Sequence, residues 1–155
     1  MLFNYKNPII VAEIGCNHKG DMKVAEQLII SAAKCGANYA KFQKRDNKYL
    51  LKSEFDLPHP NPHNSFGKTY GEHREFLEFD MNKHKILYNE CKKNKIKYSV
   101  SVWEQKSAEE VVKSKLNLDY LKVPSACNLD FELLEYLASK FKSKIHLSLG
   151  MTSEK

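Results

Sequence analysis

A polar or charged side chain recurs near the carboxyl end of each short apolar run of this chain. These are Glu13 in IIVAEIG, Lys41 and Gln43 in YAKFQK, Ser101 in YSVSVW, Lys122 in YLKVPS and Ser148 in IHLSLG. An isolated Lys or Glu on a buried strand is costly unless it is paired, so five segments sharing one pattern point to parts of a single site. Lys41 and Lys122 carry most of this argument. Two ammonium groups on the inner faces of separate strands repel each other unless an anion lies between them, which points to a phosphate or carboxylate ligand. Ser101, Ser125 and Ser148 add neutral donors for the same oxygens. Two other readings stay open: lysines that snorkel to solvent at strand ends, and a desolvated lysine that attacks a carbonyl to form a Schiff base.

The segment AEIGCNHKGD brings a carboxylate, an amide and an imidazole to a strand-to-helix turn. Gly15 and Gly20 permit a tight backbone there, with Glu13, Asn17 and His18 expected over the mouth of the site. An ordinary polar loop is the plain alternative. A metal site needs a second group of ligands, and the chain has no HExxH pattern. His59 and His63 stand four apart, but Pro60 and Pro62 forbid the helix that would put both on one face. Nothing assigns Cys16 the lowered pKa of a nucleophile. Acid-base work by Glu13 is the best of these readings.

These residues need strands to carry them. Apolar periodicity predicts strands over 9–14, 39–44, 97–103, 120–123 and 145–149. Helices are expected from Met22 to Cys35 behind Asp21, from Asp80 to about Asn94, from Ser107 as cap to about Lys115, and from Asp130 as cap to about Phe141. Their expected inner stripes are Val24, Leu28, Ala32 and Cys35 in the first helix, Met81, His84, Leu87, Tyr88 and Cys91 in the second, and Phe131, Leu134, Leu137, Ala138 and Phe141 in the last. Residues 45–79 hold three of the five prolines and read as a long functional loop or lid. Within it, YGEHREFLEFD either orders the loop over the site or is a solvated charged turn.

Alternating strands and helices imply an α/β fold with a parallel sheet and right-handed crossovers. Side chains alternate along a strand, so Glu13, Lys41 with Gln43, Ser101, Lys122, and His146 with Ser148 each lie on the site face of their strand. A (β/α)8 TIM barrel would collect all of them at its carboxyl end, whereas the crevice of an open doubly wound sheet draws on fewer strands. The expectation is a partial TIM barrel of about five parallel strands, since eight strands and roughly 250 residues make a full one.

The chain has 155 residues, 42% of them hydrophobic, enough for one domain with a real core. Its net charge of +6 comes from 25 Lys and Arg against 19 Asp and Glu, interspersed on helix candidates rather than in a basic block. That pattern argues against a nucleic-acid partner and fits attraction of small anions. Four widely spaced cysteines without a CxxC pair favour reduced thiols and a cytoplasmic protein. No apolar stretch reaches the roughly 20 residues that cross a bilayer, so no membrane association is expected.

Taken in order, AEIGCNHKGD, KCGANYAKFQK, YGEHREFLEFD, YSVSVWE, LKVPSACN and LSLGMTSEK resemble the amino-terminal barrel of the sialic acid synthase family, which includes N-acetylneuraminate, legionaminate and pseudaminate synthases. The resemblance covers essentially the whole chain, residues 1–155. It implies condensation of phosphoenolpyruvate with an N-acylated amino sugar to a nine-carbon 2-keto acid, with release of phosphate. It also implies that Lys41 and Lys122 hold phosphoenolpyruvate with Ser101, Ser125 and Ser148, and that Glu13 handles protons or the water that attacks C2. Gln43 would stand near the sugar, with Asn17 and His18 in the same signature loop. Mn²⁺ or Mg²⁺ is implied as well, held by histidines of later strands that this chain does not include, and so is a homodimer at full length. Many members carry an acidic residue where this chain has Cys127, Ser-Thr-Gly-Met where it has Ser148-Leu149-Gly150-Met151, and Thr-Pro-Phe where it has Ser101-Val102-Trp103. These departures point to a different amino sugar.

The chain stops just past its fifth strand, where Thr152 or Ser153 would cap a further helix. The expectation is a truncated coding sequence, inactive alone. The competing functions are a Schiff-base aldolase using Lys122 and a non-catalytic remnant or half of a split enzyme.

Overall fold

A computed structural model describes residues 7–150, 152 and 153; Met151, Glu154 and Lys155 of the last motif lie outside the described residues. Five strands form one sheet: β1 (Val11–Gly15), β2 (Tyr39–Lys44), β3 (Lys97–Val102), β4 (Tyr120–Val123) and β5 (Lys144–Leu147). Every neighbouring pair is parallel and the spatial order is β1-β2-β3-β4-β5. Sequential order is decisive between the two architectures. A doubly wound sheet reverses order at a switch point, whereas right-handed crossovers that always step the same way keep every helix on one face and curl the sheet toward a barrel. The fold is the first part of a TIM barrel.

Six helices connect or flank the strands: α1 (Met22–Lys34), α2 (Asn47–Leu50), α3 (Tyr70–Leu77), α4 (Met81–Lys93), α5 (Gln105–Lys113) and α6 (Phe131–Lys140). Asp21, Asp46, Thr69, Asp80 and Asp130 cap five of them, each accepting backbone N–H groups of the first turn. The even-numbered residues of β2 and β3 and the odd-numbered residues of β4 face these helices. Ala40, Phe42, Val100, Val102, Leu121 and Val123 pack with Ala25 and Ile29 of α1, Leu87 and Cys91 of α4, Ala108 and Val111 of α5, and Leu133 and Leu137 of α6. The alternate residues, Glu13, Lys41, Gln43, Ser99, Ser101, Lys122 and His146, form the other, inner face and carry the polar set.

Several local expectations are corrected. β1 begins at Val11, with Ile9 and Ile10 exposed and the Ile10 carbonyl, just before it, accepting the Asn38 and Tyr39 N–H groups, and β5 ends at Leu147. Glu104, not Ser107, caps α5. It is wholly buried and accepts the Ser107 N–H at 2.7 Å and the Asp46 N–H at 2.8 Å, so one carboxylate ties the end of β3 to the segment after β2. The inward side of α6 is Leu133 and Leu137; Phe131 is 67% exposed and Ala138 is exposed, because the helix starts where expected but docks through a neighbouring face of its apolar stripe. On α1 the fully buried residues are Ala25 and Ile29, with Leu28 and Ala32 half-buried and Cys35 exposed. The loop 45–79 contains α2 and α3, and YGEHREFL of the YGEHREFLEFD run is a helix opened by a capping box between Thr69 and Glu72. The four cysteines are free, and no described helix is long and apolar enough to cross a membrane.

The two sides of α6 give a direct test. Leu133→Ala empties a fully buried position and should cost about 2–5 kcal/mol of unfolding free energy. Phe131→Ala should stay within about 1 kcal/mol, as expected of an exposed side chain. Urea denaturation of both variants checks this; equal losses would place Phe131 in the core.

Candidate active site

Parallel register builds the site. Glu13 lies beside Lys41 and Lys41 beside Ser99, while one step nearer the carboxyl end Gln43, Ser101, Lys122 and His146 form a row across four strands. Lys41 is only 4% exposed, and its ammonium donates to Glu13 Oε2 at 2.6 Å. Burial pulls the Lys41 pKa down from its ordinary value, Glu13 pulls it back up, and the Lys122 ammonium again lowers it. The two lysines therefore share one electrostatic neighbourhood, and Glu13 offsets only one of the two charges. The surplus of positive charge in a half-buried wall is what an anion would neutralise.

The loop after β1 is shaped by glycine and by α3. A register shift between Glu13 and Gly15 skips Ile14 and sets Gly15 beside Phe42, and Gly15 takes φ +55°, which a side chain would resist. Gly20 has φ +75°, and a Cβ there would stand 2.4 Å from the Phe76 carbonyl oxygen. The last turn of α3 therefore rests on the AEIGCNHKGD loop, and only glycine admits that approach. This contact turns His18 inward. Its ring is 3% exposed, stacks on Phe79 with centroids 4.1 Å apart, and accepts the Gly20 N–H on Nδ1 at 3.1 Å. Burial holds its pKa down at about 4. As placed, His18 packs the loop rather than facing the mouth. Asn17 is exposed, its amide donating to the Ile14 carbonyl at 2.9 Å.

Gln43 stands at the end of β2, where the Cys16 thiol lies 3.8 Å from its Oε1. Burial raises the Cys16 pKa, opposed by the nearby Arg74 of α3, so the thiol is not an activated nucleophile. Ser101 is buried beside Lys122; Ser125 accepts the Gly150 N–H at 3.1 Å, and the Ser148 N–H donates to the Val123 carbonyl at 3.0 Å. The segments after β4 and β5 are thus tied together at the carboxyl end.

Other residues come to this end of the sheet that sequence reading did not single out. Arg45 lies over the Trp103 ring, 4.1 Å from its centroid, and its backbone N–H donates to Glu78 Oε1 at 3.0 Å. Burial pushes the Glu78 carboxyl up to about 8 against the pull of Lys44 and Arg74. Trp103 therefore serves as a platform for Arg45. The charge-rich HREFLEFD run was the available signal for Arg74 and Glu78, but their meeting with Cys16 and Arg45 depends on how α3 docks. Cys127 is buried, and its thiol donates to the Trp103 carbonyl at 3.1 Å, so no acidic group projects from that position. Among the described residues no three His, Cys, Asp or Glu side chains converge, so the divalent ion that the resemblance implies finds no ligand set here.

The NeuB family model matches residues 28–155. The chain belongs to the NeuB family. It is 37% identical over 150 residues to the N-acetylneuraminate-9-phosphate synthase of Mus musculus, covering 96% of this chain and 41% of that one. To the N,N'-diacetyllegionaminic acid synthase of Campylobacter jejuni it is 30% identical over 149 residues, covering 96% and 44%. The crystal structure of an N-acetylneuraminic acid (sialic acid) synthetase from Leptospira borgpetersenii, in complex with citrate, superposes with a TM-score of 0.76 at 25% identity, over 99% of this chain and 50% of that one. This NeuB-family chain thus spans about two fifths of the length of the curated relatives it matches.

Two measurements test this geometry. Glu13→Gln removes the charge that holds up the Lys41 pKa, so NMR titration of the Lys41 ammonium should show it falling further below its ordinary value; an unchanged titration would mean the pair is not coupled. Beneath the loop, His84 is wholly buried with its Nδ1 2.6 Å from the Tyr98 hydroxyl, and burial holds its pKa at about 3. An unfolded imidazole takes up its proton below about pH 6.5, so between that value and pH 3 the unfolded state binds the extra proton. The stability is full above the unfolded value and is lost as the pH falls. From pH 7 to 5 the wild type should lose about 2 kcal/mol more than His84→Leu in chemical denaturation.

Proposed function

We propose that the Glu13, Lys41 and Lys122 wall holds phosphoenolpyruvate for condensation with the aldehyde form of an N-acylated amino sugar, N-acetylmannosamine or a related hexose, giving a nonulosonic acid. The observation that carries the reading is the pairing of a buried Lys41 with Glu13 beside a second lysine, Lys122, on the same face. That arrangement leaves one positive charge in excess at the carboxyl end of a barrel sheet, where substrates of this fold react. The family membership and the synthase relatives support the same substrate pair.

Lys122 and Lys41 would take the anionic groups of phosphoenolpyruvate, with the hydroxyls of Ser101, Ser125 and Ser148 supplying neutral donors. Holding C3 of the enol ester against the aldehyde carbon replaces a bimolecular encounter with an oriented one. The new bond forms between C3 and that carbon, and the carbonyl oxygen takes a proton. Water then adds to C2 and gives up a proton, the bond between C2 and the phosphate ester oxygen breaks, phosphate leaves with the bonding pair, and the C2 hydroxyl loses its proton to become the ketone. Glu13 is positioned to accept the proton of the attacking water, since its carboxylate is largely exposed beyond its contact with Lys41. Gln43, near the end of β2, and Asn17, just after β1, would contact the sugar. The barrel strands that complete the relatives would supply the rest of the sugar site, and a divalent ion would add charge stabilisation there.

Phosphoenolpyruvate binding to this chain tests the anion wall, and phosphate release with N-acetylmannosamine, or its 6-phosphate, as acceptor tests the condensation once the remaining barrel strands are supplied. Release should require the acceptor, and Lys122→Met should lower phosphoenolpyruvate affinity by about 10-fold or more, as expected for a charge-assisted contact. Borohydride with pyruvate should leave Lys122 unmodified. A reduced pyruvyl adduct on Lys122 would replace the synthase reading with a Schiff-base aldolase.

A further inference from the structure

Below the charged row, the inner face turns aromatic. Tyr39 and Tyr120 meet edge to face with centroids 5.1 Å apart, and the His146 ring of β5 stacks on Tyr120 at 4.1 Å, tilted by 18°. These rings line an open cavity of about 590 Å³ with Val11, Asp119 and Lys144. His146 is also the direct register neighbour of Lys122. It therefore stands where the aromatic floor meets the proposed anion wall, and no part of the chemistry described above uses it.

We propose that His146 is a binding residue of the phosphoenolpyruvate site, its protonated imidazole acting with Lys122 on the bound anion. The proposal rests on the reading of Lys41 and Lys122 as an anion wall. Side chains in register on adjacent parallel strands start about 4.8 Å apart, close enough for one phosphate or carboxylate group to accept from both. The charges around His146 are Lys122 of β4, Lys144 of its own strand, and Asp119 just before β4, with Tyr120 stacked on its ring. Across the sheet lie Glu13 and Lys41. Both carboxylates are already engaged, Glu13 by Lys41 and Asp119 by Lys97 and the Tyr39 hydroxyl. The nearest free charges are therefore cationic, and an imidazolium gains its counter-charge when an anion arrives. Proton uptake and anion binding favour each other.

Titration calorimetry of the full chain with phosphoenolpyruvate at pH 6.0 and pH 8.0, for the wild type, His146→Gln and Lys122→Met, decides the matter. The ligand's own phosphate ionisation is common to all three. At pH 8.0 the wild type and His146→Gln should bind within about two-fold of each other. On going to pH 6.0 the wild type should gain about three-fold more affinity than His146→Gln, the scale of an exposed charge pair. Equal pH ratios in these two proteins, with binding lost in Lys122→Met, would overturn the role of His146 and leave the anion wall standing. No binding by the wild type at either pH would remove the anion wall, and this proposal with it.

Discussion

A lysine that is 4% exposed must have a counter-charge, and here it has one: Glu13, on the neighbouring strand, at 2.6 Å. The rest of the inner face follows from that requirement. An ammonium taken out of water costs free energy that only close, oriented partners return. Glu13 can be such a partner only if β1 and β2 are parallel, adjacent and in the register that sets residue 13 beside residue 41. The same register, propagated to β3 and β4, sets Lys122 one row nearer the mouth. A site of this kind cannot be shifted by one residue without turning its whole charged set into the apolar face.

The helix side of the sheet provides the opposing pressure. Phe42, Val100, Val102, Leu121 and Val123 are almost fully buried, and their removal from water drives formation of the sheet. Because the alternation of side chains is strict, burying these residues necessarily sends Lys41, Ser99, Ser101 and Lys122 to the other face. The hydrophobic effect thus positions the polar groups without contacting them. Tyr39 and Tyr120 lie under the charged rows, and the ring of His146, in register with Lys122, stacks on Tyr120.

Above the strands, the segment between β2 and α4 does more than cover the mouth. α3 leans its carboxyl end on Gly20 and brings Arg74 and Glu78 toward Cys16 and Arg45, while Arg45 covers Trp103. Glu104 completes the arrangement from below by capping α5 while holding the Asp46 backbone. Buried carboxylates here work as connectors between loops, each satisfied by backbone N–H groups rather than by solvent.

Much of this was legible in the residues alone. The bounds of β2 and β4 match the apolar runs to the residue, the Asp caps of α1, α4 and α6 lie where expected, and the common face of Lys41 and Lys122 follows from counting by two. These features depend on neighbours in the chain, on periodicity and on capping chemistry, which a sequence displays directly. Other features required distant segments to meet. His18 turned inward because Phe79 and α3 close on its loop, Glu104 took the cap of α5 because Asp46 also needed an acceptor, and Leu133 replaced Phe131 in the core because the docking angle of α6 chose the face. Pattern specified which residues could share a side; only packing decided which of them touch, because burial and pairing energies are set by partners far away in the chain.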